Sequence, residues 1–223
     1  MRTHPRRREF NRKGTAMTNI AVLVSGGGTN LQALIDASRA GRLPSGRLAV
    51  VVSSKPDVRA LERAAAAGIP AHVVKRADHP DETEFSRLIM GILEEYDVGL
   101  VVLAGFLSVL SNEFLDRYKN RVINVHPALL PSFCGKGFYG LRPHEAALER
   151  GVKLSGATVH FVNGEVDGGP IILQRAVPVL EDDTPQTLQA RVMAEAERPL
   201  LAEAAELICA GRVTVNGNKV RIS

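Results

Sequence analysis

The sequence predicts an α/β protein: a mostly parallel twisted sheet with helices on both faces, and antiparallel strands in the C-terminal part. Three observations predict it. Short apolar runs alternate with helix-patterned segments from residue 19 to residue 125. Those runs are apolar at nearly every position, as strands covered on both faces are. After His126 the alternation gives way to two longer strand-like runs around a glycine-rich turn, the pattern of an antiparallel pair.

The elements follow in order. Residues 19–25 form an apolar run that stops at glycines, a buried strand. Residues 29–40 carry Leu31, Leu34 and Ile35 on one side of a helix. A second strand covers 48–53. Asp57 reads as the cap of a helix over 58–67, which Gly68 stops. A short third strand (71–74), a helix (82–96), a fourth strand (100–103), a helix around 112–118 and a fifth strand (121–125) complete the alternation. A Pro- and Gly-rich loop then runs to Leu141, before a helix over 143–149. Strands at 157–162 and 171–177 are followed by a helix of about 25 residues over 184–210. Asn216-Gly217 marks a terminal hairpin.

Composition bounds the function. With 45% hydrophobic and 23% charged residues in 223, the chain suits one domain able to bury its own core, and it is not mainly disordered. No run approaches the ~18 apolar residues of a membrane span. Cys134 and Cys209 give neither a disulfide framework nor a zinc pattern, so a reducing, cytoplasmic setting is expected. The net charge of +4 is local: residues 1–16 hold Arg2, Arg6, Arg7, Arg8, Arg12 and Lys13 against Glu9, a balance of +5 that leaves −1 for 17–223. Neither nucleic acid nor a membrane is therefore expected as a partner. Residues 1–16 read as a disordered basic leader without the apolar stretch of a secretory signal. Residues 17–223 read as a single domain with halves at about 17–125 and about 126–223.

Two segments carry chemistry. Ser25-Gly26-Gly27-Gly28-Thr29-Asn30 joins the first strand to the first helix, exposing backbone N–H groups at a helix N-terminus, which together favour an anion. The dinucleotide fingerprint is incomplete, because Leu31 stands where its third glycine belongs and no acidic residue ends the second strand. The lysine of a P-loop is absent as well. A phosphate site, a plain tight turn and a dinucleotide site all remain open on this turn alone. The fifth strand ends Asn124-Val125-His126-Pro127, placing Asn124 and His126 on one side at the carboxyl edge of the sheet. An amide donor beside an imidazole suits an oxyanion that develops during a reaction. Asp167, before Gly168 and Gly169, either makes a turn or lies against His126, fixing its orientation and favouring its charged form. His160 reads as a half-buried packing residue. The histidines of 17–223 show no metal-ligand spacing, so no metal is expected. No Gly-x-Ser-x-Gly elbow supports a serine hydrolase.

The order of motifs is specific. Ser-Gly-Gly-Gly-Thr-Asn at 25–30, Leu-Ala-Gly-Phe at 103–106, Ile-Asn-Val-His-Pro-Ala-Leu-Leu-Pro at 123–131, Gly-Ala-Thr-Val-His-Phe-Val at 156–162 and Asp-Gly-Gly-Pro at 167–170 resemble the phosphoribosylglycinamide formyltransferases, the folate-dependent transformylases of purine synthesis. The resemblance covers nearly all of 18–223. It implies a Rossmann-like formyltransferase fold. It also implies transfer of a formyl group from 10-formyltetrahydrofolate, as cosubstrate and without a metal, to the amine of 5-phosphoribosylglycinamide in de novo purine (IMP) biosynthesis. By matching motifs, Asn124, His126 and Asp167 are the catalytic trio, and Gly28, Thr29 and Asn30 hold the ribonucleotide phosphate. Glu197, with Glu195 as a nearby competitor, contacts the ribonucleotide. The folate lies against Leu107, Ser108, Val109, Leu110 and Asn124 and against Asn163, Gly164, Glu165, Val166 and Asp167, largely through backbone groups. The first half of the domain then serves the ribonucleotide phosphate and the second the folate. Oligomeric state is open, a homodimer included.

Three departures bear on these implications. Ser108 stands where many members of the family carry an arginine, and Glu82 stands near a folate-contacting arginine of the family. The loop from Cys134 to Gly140 is longer than in many members and reads as a mobile flap with Lys136 as a phosphate contact, or as a solvated surface loop; Cys134 is assigned no catalytic work. Two other readings stay open. A formyltetrahydrofolate deformylase shares the Asn-His-Asp chemistry, although 16 leader residues are too few for its extra regulatory domain. A non-catalytic sugar-phosphate binder explains the glycine turn but leaves the trio without a role. A methionyl-tRNA formyltransferase needs a further C-terminal domain.

Overall fold

A computed structural model describes residues 16–223; the expected leader lies, but for Ala16, outside the described residues. The chain runs β1 (Thr18–Val24), α1 (Thr29–Arg39), β2 (Gly46–Ser53), α2 (Arg59–Ala66), β3 (Ala71–Val73), α3 (Glu82–Glu95), β4 (Val98–Leu103), α4 (Asn112–Arg117) and β5 (Val122–His126). It continues with α5 (Arg142–Arg150), β6 (Leu154–Phe161), β7 (Ile171–Pro178), α6 (Pro185–Val192), a π-helical turn (Met193–Glu197), α7 (Arg198–Cys209) and a hairpin of β8 (Val213–Asn216) and β9 (Lys219–Ile222). Seven strands form one sheet in the order β3-β2-β1-β4-β5-β6-β7. The first five are parallel, and β6 and β7 are antiparallel to their neighbours. This is the mixed α/β sheet the sequence predicts.

Alternation along β1 shows why its run is apolar throughout. Ile20, Val22 and Val24 pack into a core under α1, α2 and α7, whereas Ala21 and Leu23 pack into a second core under α3 and α4. Phe85 and Phe114 anchor the second core without solvent exposure, and each such burial contributes ~1.5–3 kcal/mol.

Two elements differ from the sequence expectation for identifiable reasons. Asp57 does not cap α2. It adopts a left-handed conformation (φ 53°), and the N-cap is Val58, without a side-chain bond. The Ala60 amide donates instead to the Gly26 carbonyl at 3.2 Å, so the glycine turn itself serves the start of α2. The long helix is not continuous α-helix. Pro199 has no N–H for the Glu195 carbonyl one turn back. The Arg198 amide reaches Met193 O in the wider π spacing, and Arg175 Nη1 donates to the free Glu195 carbonyl at 3.2 Å. The extra residue of such a turn rotates the helix beyond it. Here it leaves Glu195 exposed and turns Glu197 inward to 5% exposure.

Candidate active site

The carboxyl ends of β1, β2 and β4 are laced together. Ser25 and Ser54 share a hydroxyl hydrogen bond of 2.6 Å, and the Leu107 amide donates to Ser25 Oγ at 3.0 Å. Above this edge the glycine turn opens α1, with Gly28 as a left-handed N-cap (φ 70°) and no side-chain cap. A Cβ on Gly28 would lie 2.7 Å from Ala60 Cβ, so both the conformation and the space demand glycine. Arg63 braces the turn from α2, Nε donating to the Gly27 carbonyl at 2.9 Å. The first-turn amides of α1 thus begin a helix uncapped, the arrangement that receives anions. Asn30 turns under the turn and donates through Nδ2 to Glu197 Oε2 at 3.2 Å, joining segments 167 residues apart. Burial pushes the Glu197 carboxyl up, only partly opposed by Asn30 and the charge of Arg198. Asn30 Oδ1 is buried with no partner among the described residues. A shallow pocket of about 90 Å³ opens beside Thr29, with Arg63 and Arg198 among its walls.

The second cluster forms where β5 pairs with β6. Antiparallel register sets Asn124 opposite His160 and His126 opposite Thr158. Thr158 pins the segment after β5: its hydroxyl donates to the Ala128 carbonyl at 2.7 Å and accepts from the Leu130 amide at 3.1 Å. Asp167 arrives from the loop between β6 and β7, itself in a left-handed conformation (φ 57°). Gly169 lets that loop close on β6, since a Cβ there would lie 1.8 Å from the Phe161 carbonyl oxygen.

The cluster is compact. Asp167 Oδ2 lies 3.5 Å from His126 Nδ1, and Oδ1 lies 3.6 Å from His160 Nε2. Asn124 Nδ2 lies 3.3 Å from His160 Nε2. His126 and His160 are buried, and the Asp167 side chain is 9% exposed. Desolvation raises the Asp167 carboxyl, but the His160 imidazole, the Gly135 amide and the charge of His126 outweigh it and hold the group below the ordinary carboxylate value. Asp167 is therefore an anion between two imidazoles at neutral pH.

The structure thus brings Asn124, His126 and Asp167 together and adds His160, which the sequence reading treats as packing. The signal for His160 is pairing across β5 and β6, which a single strand does not display. Glu197, not Glu195, meets the glycine turn. Among the expected folate contacts, Leu107, Val109 and Val166 are 61–63% exposed. The two segments that carry them are adjacent, because a Cβ on Gly164 would sit 3.5 Å from Asn112 Oδ1. Ser108 is half-buried, and Asn163, Gly164 and Glu165 are exposed. The Leu110 side chain belongs to the core with Phe85 and Phe114, and the Leu107 amide is already bonded to Ser25.

The loop after β5 is tied to the cluster rather than free. His126 Nε2 lies 2.9 Å from the Phe133 carbonyl, the Gly135 amide donates to Asp167 Oδ2 at 2.9 Å, and Gln189 Nε2 donates to the Gly140 carbonyl at 3.1 Å. Lys136 is exposed. Burial and the nearby carboxylates of Asp167 and Glu165 push the Cys134 thiol up, so the thiolate is disfavoured there. Among the described residues no group of His, Cys, Asp and Glu gathers as a metal site, and no helix is long and apolar enough to cross a membrane.

A parallel sheet with an uncapped glycine-turn helix and an Asn-His-Asp cluster at its carboxyl edge is the layout of an enzyme acting on an anionic small molecule. The chain belongs to the formyl transferase family, which it matches over residues 18–205. It is 43% identical to the human trifunctional purine biosynthetic protein adenosine-3 over 199 residues, 89% of this chain and 19% of that protein. It is 41% identical to the phosphoribosylglycinamide formyltransferase of Escherichia coli K12 over 79% of this chain and 81% of that one. The chain thus spans about a fifth of its trifunctional relatives and most of the bacterial one. Glycinamide ribonucleotide transformylase 1 of Symbiobacterium toebii superposes with a TM-score of 0.86 at 47% identity, covering 92% of this chain and 94% of that structure. A formyltetrahydrofolate deformylase from Pseudomonas syringae pv. tomato superposes at 0.81 with 28% identity, covering 92% of this chain and 66% of that one.

Proposed function

We infer that the protein transfers the formyl group of 10-formyltetrahydrofolate to the amine of 5-phosphoribosylglycinamide, a step of purine synthesis. The observation that carries this reading is the convergence of Asn124, His126 and Asp167 on the same sheet edge as the uncapped N-terminus of α1. The site needs both parts. The glycine turn offers backbone donors to a phosphate, and Arg63 and Arg198 add positive charge beside it. The exposed apolar residues Leu107, Val109 and Val166 suit the flat face of a pterin.

The chemistry rests on the groups present. The substrate amine attacks the formyl carbon, so its nitrogen becomes positively charged and must shed one of its own protons as the carbonyl oxygen becomes an oxyanion. Asn124 donates an N–H to that oxygen, and His126 donates from the imidazolium. Asp167 orients His126 and stabilises its charge. It also orders a water that carries the amine's proton to the departing folate nitrogen. For His126 Nε2 to reach substrate, the Phe133 carbonyl must move aside, so the loop after β5 shifts when substrate binds. A single oxyanion donor contributes ~3–4 kcal/mol to lowering the barrier.

The deformylase reading is a weaker fit, with lower identity and a smaller share of the other protein covered. One assay separates the readings: follow folate product from 10-formyltetrahydrofolate with and without glycinamide ribonucleotide. Product only with the amine is expected. Product in its absence means hydrolysis, and no product under either condition means a binder.

A further inference from the structure

We propose that His160 is the positioning residue that fixes the side-chain amide of Asn124 with its NH₂ end held toward the reacting formyl group. The inference rests on the reading that Asn124 is an oxyanion donor. Its basis is the hydrogen-bond pattern of the ring. His160 Nδ1 lies 2.8 Å from the Phe161 carbonyl, and a carbonyl can only accept, so Nδ1 carries a proton. In the neutral ring Nε2 is then a bare acceptor. The nearer of its two neighbours is Asn124 Nδ2 at 3.3 Å, which donates into it. Were the amide turned over, its oxygen would face the lone pair of Nε2, and the bond would become a repulsion. The other N–H of Asn124 is left for the substrate oxygen.

Asp167 Oδ1, at 3.6 Å, faces the same Nε2 with the opposite demand, because it needs a proton there. That separation is too long for a hydrogen bond. Asn124 is the nearer partner of Nε2, while Asp167 Oδ2 is supplied by the Gly135 amide and faces His126. The contact is also enforced by the backbone: Asn124 and His160 are directly paired across β5 and β6, and His160 is 2% exposed. A directly paired cross-strand side chain has little freedom to take another partner.

The test replaces the ring in three ways and measures steady-state turnover with both substrates. His160→Phe keeps a flat ring without an acceptor. His160→Asn keeps a group near Nδ1 but none at Nε2. His160→Gln returns an amide oxygen near Nε2. Each is made alone and in the Asn124→Ala background, with folding checked by circular dichroism. For Phe and Asn, kcat is expected to fall about tenfold or more, with KM for the ribonucleotide within about twofold. His160→Gln should recover to within about fivefold of wild type, and the Phe and Asn changes should add less than about twofold once Asn124 is gone. If His160→Phe does not fold, His160→Asn makes the same comparison. Wild-type kcat in the variants, no recovery with Gln, or a full additional loss in the Asn124→Ala background would overturn the proposal. Wild-type turnover in Asn124→Ala alone would instead overturn the oxyanion reading beneath it.

Discussion

His144 offers a prediction whose size can be worked from the structure. It sits on α5 without solvent exposure, and neither ring nitrogen has a partner among the described residues. Desolvation, and then the charge of His126, lower its pKa from 6.5 to about 4. The unfolded chain binds this proton first as pH falls, so the contribution to stability is complete above pH 6.5 and is lost as pH falls toward about 4. The two values differ enough to make the full contribution ~3 kcal/mol, of which ~2 kcal/mol is gone by about pH 5. His144→Leu removes the titration and both orphaned nitrogens while keeping a similar volume. At neutral pH the variant should be at least as stable as the parent, because an unpaired buried polar group costs ~1–3 kcal/mol. Urea unfolding of both proteins at several pH values then gives the difference directly. The variant's advantage should widen by ~2 kcal/mol between about pH 7.5 and about pH 5. A difference that stays constant across that interval refutes the argument, since it would mean that the ring is not held neutral by burial.

Three further outcomes are expected. Asn124→Ala, His126→Ala and Asp167→Ala should each lower kcat by about a hundredfold or more without loss of fold, read by steady-state kinetics beside thermal unfolding; near wild-type turnover in His126→Ala removes its assigned role. Gly169→Ala forces a Cβ against the Phe161 carbonyl oxygen, so the loop carrying Asp167 must shift; kcat should fall at least about tenfold, together with a drop in melting temperature. Arg198→Ala should raise KM for the ribonucleotide roughly threefold to tenfold with kcat little changed, because Arg198 lines the pocket beside Thr29 where we propose that the phosphate binds, and its charge would act equally in ground and transition states.

Much of this architecture is legible in the sequence because local rules suffice for it. The apolar runs of β1, β2, β4 and β5 need cover on both faces, and the two cores lie on opposite faces of the sheet. Asn124 and His126 stand two apart before a proline, so strand alternation alone puts them on one side. His160 is different. Taken by itself, a histidine in Thr-Val-His-Phe is indistinguishable from a packing residue. Only the antiparallel register with β5 reveals its partner. Pro199 likewise announces a disturbance in the long helix, but which carbonyl is released, and that the π turn swings Glu197 inward, depends on tertiary contacts with Arg175 and Asn30. Asp57 misleads because the carbonyl of Gly26, a residue on another segment, supplies what an N-cap side chain would.

The change of strand direction between β5 and β6 is what makes the second cluster buildable. A long loop and α5 separate the two strands in sequence, and β6 then enters antiparallel to β5. That places His160 against Asn124, and the loop after β6 folds Asp167 back between two imidazoles. Register is the critical quantity. A slip of one residue would turn His160 to the opposite face and present Val159 or Phe161 to Asn124. The Thr158 hydroxyl, which holds both Ala128 and Leu130, guards against that slip, because its two bonds exist only when Thr158 stands opposite His126. A buried threonine with no direct part in the chemistry therefore sets the geometry on which three polar side chains depend.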